Sequence, residues 1–283
     1  MRTLVFGGTG IVGRALVLEG RSRGWPTLGL SHGQGDITDA RRVDELCDAF
    51  RPALIVNCAA FTKVDLCESS PERAFAANGA AVATLVRAAE RLGARLVHLS
   101  TDYVFDGRAT APYPEEHPTA PQSVYGASKL AGEVLALASE RALVVRTSWV
   151  FGSGGANFVD TIAGRILGGQ KSFRVVSDQV GAPTWAPFLA RAVSDLGEWG
   201  TTGLVHYQNR PALSWYDFAR EIARQLDREV EVVPIPTAEA PRPAPRPAYS
   251  VLAVDRFEKL AGRAVESWQE GLAAHLGQGK RSA

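Results

Sequence analysis

Short apolar runs along the chain alternate with longer segments whose apolar residues recur at helical spacing. The run at residues 53–56 is continuously apolar, as strands buried on both faces of a parallel sheet are. Residues 39–50 are amphipathic, and residues 71–92 repeat alanine and valine at helical spacing, so both segments predict helices. Further predicted strands lie at residues 3–6, 26–30, 94–99 and 142–145. This alternation over residues 1–150 predicts an α/β fold with a doubly wound parallel sheet.

The strict alternation relaxes beyond residue 152. Predicted helices there cover residues 157–167, 184–196 and 267–276, and predicted strands cover residues 173–176, 203–207 and 230–233. Residues 234–247 contain six prolines, which predict an extended loop because proline lacks the N–H that a helix needs. We therefore expect residues 1–150 to form the larger domain, which also receives later segments near residues 177–205. Residues 151–283 should form mainly a smaller C-terminal lobe.

A glycine-rich turn, GGTGIVG at residues 7–13, follows the first strand, and a helical pattern runs on to about residue 23. A glycine motif between a strand and a helix is the context in which it binds a dinucleotide. Gly8 and Gly10 let the backbone approach a pyrophosphate, and Gly13 lets the helix lie close to the strand. The helix N-terminus offers N–H groups and a positive dipole end to the phosphates. We predict a Rossmann-type NAD(P) site that includes Gly7, Gly10, Ile11, Val12 and Gly13.

The end of the second strand bears on which nicotinamide cofactor is used. A cofactor with a free ribose 2′-hydroxyl usually meets an acidic residue at this strand end, but here the sequence is Ser31-His32-Gly33. These small polar residues, with Arg14 nearby, leave room for a 2′-phosphate; a solvent-exposed loop is an equally good interpretation. Asp36 and Ile37 are placed to meet the adenine ring, with Asp36 accepting from the amino group. We therefore expect NADPH or NADH as the cofactor.

The third and fourth strands should border the nicotinamide. Asn57-Cys58-Ala59-Ala60 ends the third strand, and small residues at a strand end let a flat cofactor pass close by. Residues 61–67 are predicted to form a loop that walls the nicotinamide side. Asn78 in the following helix either bonds backbone near the site or is a core amide. The predicted cofactor contacts here are Ala59, Ala60, Phe61 and Leu99.

The candidate chemistry is concentrated in STDYVFDG at residues 100–107 and YGASK at residues 125–129. Thr101 lies at a strand end, where open α/β sheets bind ligands, and Tyr125 and Lys129 are four residues apart, on one helix face. An ordinary tyrosine has a pKa near ~10, and we expect the Lys129 cation to lower it. Thr101 can then donate a hydrogen bond to a carbonyl while Tyr125 passes it a proton. The alternative interpretation is a surface helix on which the tyrosine and lysine occur by chance. The glycine turn at the N-terminus makes this alternative less favoured than the catalytic interpretation.

Three residues are candidates for substrate contacts. Trp149 follows the fifth strand and is placed to cover a ligand ring, with a core tryptophan as the competing interpretation. Arg242 and Arg246 lie in the proline-rich stretch and can pair with phosphate, although each is also explained as part of a solvated surface loop.

Composition and charge exclude several classes of protein. The chain has 283 residues, 46% of them hydrophobic, and a net charge of +1, which gives no basis for binding nucleic acid or an anionic membrane. No apolar run reaches the roughly 18 residues of a membrane span, and the N-terminus leads straight into a strand, so we expect no signal peptide and a cytoplasmic location. The three cysteines, Cys47, Cys58 and Cys67, are expected to be reduced thiols. Histidines and cysteines show no metal-ligand spacing, so no metal is expected.

In these residues and motifs, the chain resembles the extended short-chain dehydrogenase/reductase family, and the resemblance runs from residue 2 to about residue 276. The most specific segments are STDYVFDG (100–107), VYGASKLAGE (124–133), RTSWVFG (146–152), DQVGAPT (178–184) and RPAYSVL (246–252). The last four together separate it from the wider family and match the branch that reduces nucleotide-linked ketosugars.

The resemblance implies a catalytic set of Thr101, Tyr125 and Lys129 and an NAD(P)H site. It also implies a nucleotide-sugar site between the sheet and the C-terminal lobe, contacted by Thr101, Asp102, Trp149 and Arg246. The implied reaction is reduction of dTDP-4-dehydro-L-rhamnose at C4 to dTDP-L-rhamnose. A homodimer is a further expectation, because relatives often pair.

The sequence departs from the branch at a few positions. The second strand ends without an acid, Phe61 replaces a polar residue, and Ala253 stands where an acid usually follows SVL. Two alternatives therefore stay open. One is another nucleotide-sugar reductase, an epimerase or a dehydratase of the same family, and the other is a non-catalytic regulatory subunit of the methionine adenosyltransferase type.

Overall fold

In the computed structural model, which describes residues 1–279, strands and helices alternate along the chain. The strands are β1 (Thr3–Phe6), β2 (Thr27–Leu30), β3 (Leu54–Asn57), β4 (Arg95–Thr101), β5 (Ala142–Thr147), β6 (Val150–Phe151), β7 (Ser172–Val176), β8 (Val180–Gly181), β9 (Thr184–Trp185), β10 (Gly203–His206), β11 (Leu213–Ser214) and β12 (Glu231–Ile235). The helices are α1 (Ile11–Ser22), α2 (Ala40–Phe50), α3 (Val64–Ser69), α4 (Pro71–Phe75), α5 (Ala81–Leu92), α6 (Val124–Leu137), α7 (Phe158–Leu167), α8 (Ala186–Trp199), α9 (Trp215–Gln225), α10 (Asp255–Ala261) and α11 (Trp268–Gly279). A π-helical turn, Ala76–Ala80, joins α4 to α5, and Asp102–Val104 and Thr237–Glu239 are short 3₁₀ helices.

Six parallel strands form the central sheet in the order β10-β5-β4-β3-β1-β2. The chain moves outward from β1 to β2 and then crosses to the other side of β1 to form β3. The strand order therefore reverses between β1 and β3, and ligands of open α/β sheets bind at the carboxyl ends of the strands beside such a reversal. The predicted doubly wound parallel sheet is confirmed.

Alternate residues of each strand bury their side chains on opposite faces of the sheet, as the pleat requires. On one face Val5, Val56 and Val145 pack with Leu189 of α8. On the other face the core contains Leu4, Phe6, Ile55, Val82, Leu85 and Val144. Two cores that cover both faces explain why the strand sequences are almost wholly apolar.

A separate core holds the C-terminal lobe together. Phe151, Ile162, Phe218 and Trp268 pack in it, and β7 pairs with β12 in a small parallel sheet. By contrast, α8 packs on α1 and β10 pairs with β5, so these later segments extend the central sheet layer. The boundary at residue 150 stays a prediction, and residues 280–283 of the predicted lobe lie outside the described residues.

Two predicted loops are partly regular structure. Residues 64–69 form α3, which overlaps the segment predicted as a loop at 61–67. This helix is too short for a sequence pattern, and a hydrogen bond of 2.9 Å from the Val124 N–H to the Glu68 carboxylate holds it against α6. The proline-rich stretch begins within β12, which runs to Ile235. Pro234 is tolerated there because β12 lies at the edge of a two-stranded sheet. None of the described helices is long and apolar enough to cross a membrane.

Candidate active site

The glycine turn after β1 is packed so closely that side chains are excluded. A Cβ on Gly13 would lie 2.1 Å from the Gly7 carbonyl oxygen, and one on Gly8 would lie 2.5 Å from Gly29 Cα. Gly7 has φ of 75°, and a Cβ there would meet the backbone of Ala59 at 2.7 Å. The turn thus brings the end of β3 beside the N-terminus of α1. The first N–H groups of α1, those of Ile11 and Val12 among them, have no partner within the helix and can receive phosphate oxygens.

The end of β2 carries a tight polar turn. The side-chain oxygen of Gln34 accepts from the Ser31 N–H at 3.0 Å and from its hydroxyl at 2.9 Å. The Arg42 guanidinium, from α2, donates to the Gln34 carbonyl at 3.0 Å. His32 is exposed and lies 3.7 Å from the Asp36 carboxylate. Arg42 is therefore a cation fixed at this strand end, which sequence reasoning missed because it lies eight residues beyond the loop.

Three neighbouring predictions have mixed outcomes. Asp36 accepts from both the N–H and the hydroxyl of Thr38, at 2.9 and 2.8 Å. The Ile37 side chain is buried in the core beneath the sheet, which leaves its backbone to face a ligand, and the adenine contact stays a prediction. Arg14 lies against Gly154 of the loop after β6.

The segment after β3 is clamped to α6 through Asn78. The Asn78 amide oxygen accepts from the Phe61 N–H at 2.7 Å, and its nitrogen donates to the Phe61 carbonyl at 3.1 Å and to the Ser128 hydroxyl at 3.0 Å. Asn78 lies in the π-helical turn, which aims it across the interface. Of the two interpretations of Asn78, a bond to backbone near the site is confirmed. The clamp fixes Ala59, Ala60 and Phe61, all partly exposed, along one wall.

Lys129 is buried between α6 and β4. Its ammonium donates to the Leu99 carbonyl at 2.6 Å. Burial lowers the pKa of this lysine to about 8, with the Glu133 charge opposing the shift. The same burial, opposed by the Lys129 charge, raises the pKa of Cys58 to about 12, so that thiol stays protonated. Lys129 therefore places its ammonium group at the end of β4.

The expected effect of Lys129 on Tyr125 is wrong for the free protein. Burial raises the pKa of the Tyr125 phenol; the Thr101 hydroxyl opposes this and the Asp102 charge adds to it. The Lys129 ammonium is held by the Leu99 carbonyl in the free protein. Tyr125 is consequently a protonated phenol at neutral pH, with the Thr101 hydroxyl beside it.

Thr101 and Asp102 end β4 as a coupled pair. The Thr101 hydroxyl donates to Asp102 Oδ1 at 2.9 Å, and the other carboxylate oxygen is buried without a hydrogen-bond partner. Burial therefore raises the pKa of Asp102 to about 6. The Ser250 hydroxyl is buried beside this carboxylate and opposes the rise of its pKa, but it has no hydrogen-bond partner of good geometry. A strand end with unpaired polar atoms next to Tyr125 is equipped to receive a polar ligand.

A buried ion pair anchors the helix that carries Tyr125. The Arg146 guanidinium of β5 donates to both oxygens of the Glu133 carboxylate of α6, at 2.7 to 3.1 Å. Both side chains are at most 4% exposed. A bidentate pair of this kind fixes orientation as well as distance, so α6 is held in one rotation against the sheet.

Trp149 lies beyond β5 with its ring stacked on Trp215 of α9, at a centroid distance of 3.5 Å. The ring lies so close to Gly181 that a Cβ there would be 2.4 Å from it. Trp149 also has φ of 46°, the left-handed region. The stack joins the strand end to the C-terminal lobe, and both of its sequence interpretations stay open.

Arg246 borders a cavity of about 230 Å³ whose lining includes Tyr103, Ser123 and Pro247. The Tyr103 ring meets the Tyr125 ring edge to face, with centroids 5.5 Å apart. Tyr103 thus lies between the cavity that Arg246 borders and the candidate acid, Tyr125. Sequence reasoning missed Tyr103, although it sits inside the STDYVFDG segment.

Asp65 is a second residue that the sequence patterns did not single out. Its carboxylate lies 2.9 Å from the Arg246 guanidinium and 3.9 Å from that of Arg242. Nothing in the local sequence signals this pairing, since the partners are about 180 residues apart. Among the described residues no group of histidine, cysteine, aspartate or glutamate could hold a metal ion.

Glycine turns of this kind occur in many nucleotide-binding enzymes, but a strand-end threonine beside a Tyr-x-x-x-Lys helix defines a narrower class, the extended short-chain dehydrogenase/reductases. Within that class the chain belongs to the family described as RmlD substrate binding domain, whose model matches residues 1–280.

Relatives and solved structures agree with this membership. The chain is 40% identical to a dTDP-4-dehydrorhamnose reductase of Streptomyces griseus, over 96% of this chain and 91% of that one. It is 41% identical to a probable dTDP-4,6-dihydroxy-2-methyloxan-3-one 4-ketoreductase of Streptomyces antibioticus, over 96% and 93% of the two chains. A crystal structure of dTDP-4-dehydrorhamnose reductase from Bacillus anthracis in complex with NADP superposes with a TM-score of 0.93, at 34% identity over 98% and 99% of the chains.

Proposed function

We propose that this protein reduces the C4 ketone of dTDP-4-dehydro-L-rhamnose to dTDP-L-rhamnose with NADPH or NADH. The observation that carries the reaction type is the position of Thr101 and Tyr125 at the carboxyl end of β4, on the edge of the sheet where the glycine turn opens. The choice of sugar rests on relatives named for that reaction, 36–40% identical over most of the chain.

The residues present fit a nicotinamide dinucleotide. A Cβ at Gly7, Gly8 or Gly13 would collide with neighbouring backbone, so these glycines keep the turn tight. At Gly10 a Cβ would meet only the Gly7 carbonyl, at 3.4 Å, so the backbone there is open to close approach of a pyrophosphate. We assign Gly7, Gly10, Ile11, Val12 and Gly13 to the phosphates. The second-strand turn with Ser31, His32, Asp36 and the backbone of Ile37 is assigned to the adenosine, and Ala59, Ala60, Phe61 and Leu99 to the nicotinamide side. When bound, the dihydronicotinamide supplies the hydride.

The proton comes from the protein. The buried Tyr125 phenol keeps its proton at neutral pH because burial raises its pKa, and this is the form needed to protonate an alkoxide during reduction. Thr101 holds the carbonyl oxygen by a hydrogen bond in the same place. Lys129 lies one helical turn beyond Tyr125, and its ammonium binds the Leu99 carbonyl in the free protein. With the cofactor bound, this ammonium would hold the ribose and supply positive charge as the phenol loses its proton.

The substrate residues follow from their positions. Asp102 offers a carboxylate oxygen that lacks a hydrogen-bond partner to a sugar hydroxyl, and Trp149 packs against the sugar ring. Arg246 is assigned to the diphosphate, because guanidinium groups recognise phosphate oxygens and this one borders the cavity beside Tyr103.

A second candidate is reduction of a different dTDP-linked ketosugar, favoured by the 41% identity to a probable 4-ketoreductase of another sugar. The catalytic edge would be the same, and only the contacts to the ring would differ. We also propose a cytoplasmic location, supported by three cysteines without disulfides. A homodimer stays a prediction.

The decisive experiment measures the loss of NADPH absorbance when the protein is mixed with enzymatically generated dTDP-4-dehydro-L-rhamnose, and then identifies the product. Stoichiometric cofactor consumption and dTDP-L-rhamnose are expected. Consumption only with another dTDP ketosugar would select the second candidate. An epimerase would convert its substrate without net consumption of the cofactor. A regulatory subunit would neither convert a sugar nor consume the cofactor.

A further inference from the structure

The Asp65 carboxylate of α3 is shared by three donors of one distant segment. Oδ1 lies 2.9 Å from Arg246 Nη2 and 3.3 Å from the Ala244 N–H, and Oδ2 lies 3.9 Å from Arg242 Nη1. Arg246 also donates to the Ala244 carbonyl at 2.9 Å, which curls the segment around the carboxylate. We refer to residues 240–247 as the arginine strap. One acid thereby ties the strap to a helix that borders the sheet.

The strap lines a cavity that Tyr103 also borders. Pro245, Arg246 and Pro247 line it from one side, and Tyr103 and Ser123 from the other. Arg246 and Tyr103 line this cavity together, and the Arg246 charge opposes the rise that burial causes in the pKa of the Tyr103 phenol. Since Tyr103 also touches Tyr125, Arg246 stands a short distance from the reacting end of the substrate site.

The donors around Asp65 are those that phosphate oxygens prefer, two guanidinium groups and a backbone N–H. The carboxylate uses them incompletely. It meets Arg246 through one guanidinium nitrogen rather than as a two-bond fork, and Arg242 stays 3.9 Å away and is 65% exposed. A diphosphate carries more charge and more acceptor oxygens than one carboxylate, so it would satisfy both arginines better.

We propose that Asp65 is an internal counter-ion that the diphosphate of the nucleotide sugar displaces from Arg246 and Arg242. The inference rests on the proposed function, because it takes the diphosphate as the ligand of Arg246. In the free protein Asp65 holds the strap in place and keeps Arg246 from closing on smaller anions. On binding, the arginines exchange Asp65 for the diphosphate, and the strap is then fixed by the substrate itself.

The test is calorimetric titration of dTDP into the full chain, with Asp65→Asn against wild type. Asn keeps the size of the side chain and removes the competing charge. Partly exposed ion pairs are worth up to about 1 kcal/mol, so dTDP should bind about two- to fivefold more tightly. The gain should vanish in the Arg246→Gln background, where Asp65 has lost its main partner. Asp44→Asn, which removes a carboxylate 2.9 Å from Arg91 elsewhere on the surface, should leave dTDP binding unchanged.

Unchanged or weaker dTDP binding by Asp65→Asn would overturn the inference, since Asp65 would then orient Arg246 for the phosphate instead of competing with it. Asp65→Ser gives the same comparison if the asparagine variant fails to fold. Because dTDP binding requires no turnover, wild type that binds dTDP but does not oxidise NADPH with the dehydrorhamnose substrate loses the proposed reaction and keeps this inference. Wild type that does not bind dTDP overturns the nucleotide assignment, and the inference with it.

Discussion

The Thr101 hydroxyl donates its hydrogen to Asp102 at 2.9 Å, so in the free protein it is turned toward a neighbouring carboxylate and not toward a substrate. Reduction of a ketone needs that hydrogen on the carbonyl oxygen. Substrate binding must therefore either rotate the hydroxyl or offer Asp102 another donor, and a sugar hydroxyl is such a donor. Under the proposed function, this pair would couple recognition of the sugar to activation of its carbonyl.

Asp102 should destabilise the fold above about pH 6. Its pKa is raised from 3.8 to about 6 by burial, so the folded state holds the proton more tightly than the unfolded state. Its contribution is most favourable below the unfolded pKa and is lost as pH rises through 6. Asp102→Asn removes this loss, and its stability relative to wild type should improve by up to about 3 kcal/mol from pH 4 to pH 8. Urea unfolding at several pH values measures this.

Asp178 provides a control of opposite sign. Burial pushes its pKa up, but hydrogen bonds from Thr237 outweigh burial and hold the pKa below the usual value. Asp178→Asn should lose stability relative to wild type as pH rises above the usual aspartate range. Equal pH dependence for the two variants would show that Asp102 is not a strained buried acid.

Tyr125→Phe should lower kcat by about 10²–10⁴-fold, the usual effect of losing an acid–base group. NADPH affinity should change little, because the phenol hydroxyl is lost while the ring and α6 stay in place. Steady-state kinetics and fluorescence titration of NADPH separate the two effects. Tyr103→Phe, in the ring that packs against Tyr125, is the matched control and should keep kcat within about tenfold. Wild-type turnover by Tyr125→Phe would refute its role as proton donor.

NADPH should be used at least as well as NADH, since the β2 end has no acid and carries Arg42. A hydrogen bond to a charged group is worth about 1.5–3 kcal/mol. Arg42→Ala should therefore lower kcat/KM for NADPH about tenfold or more and leave that for NADH nearly unchanged. The adjacent Arg41→Ala, an exposed partner of Glu45, should affect neither. A hundredfold preference of wild type for NADH would contradict the assignment.

Gly13→Ala should break the phosphate cradle. The added Cβ would lie 2.1 Å from the Gly7 carbonyl, so the turn or the helix must move, at a cost of about 1–3 kcal/mol for overpacking. NADPH affinity should fall by at least about tenfold. Gly33→Ala, where a Cβ would meet nothing within 4 Å, tests whether any glycine-to-alanine change has this effect. Thermal melting and NADPH titration of both variants report the difference.

The central sheet, and the segments proposed to carry the site, could be predicted from the sequence. Strand and helix periods are local properties of the chain, and the glycine turn, Thr101, Tyr125 and Lys129 each belong to a short segment whose spacing carries the signal. The short α3 and the extension of β12 through Pro234 could not be predicted. Tertiary contacts, namely the Glu68 bond to Val124 and the pairing with β7, override weak local preferences there.

The protonation states of the buried groups and the ion pairs between distant residues depend on the tertiary structure. The direction of the Tyr125 pKa depends on burial and on where the Lys129 ammonium points, and neither is encoded in the spacing of the two residues. The pairing of Asp65 with Arg246 joins residues about 180 positions apart. Sequence specifies which groups are present, whereas their protonation and pairing follow from the low-dielectric surroundings that the whole fold assembles around them.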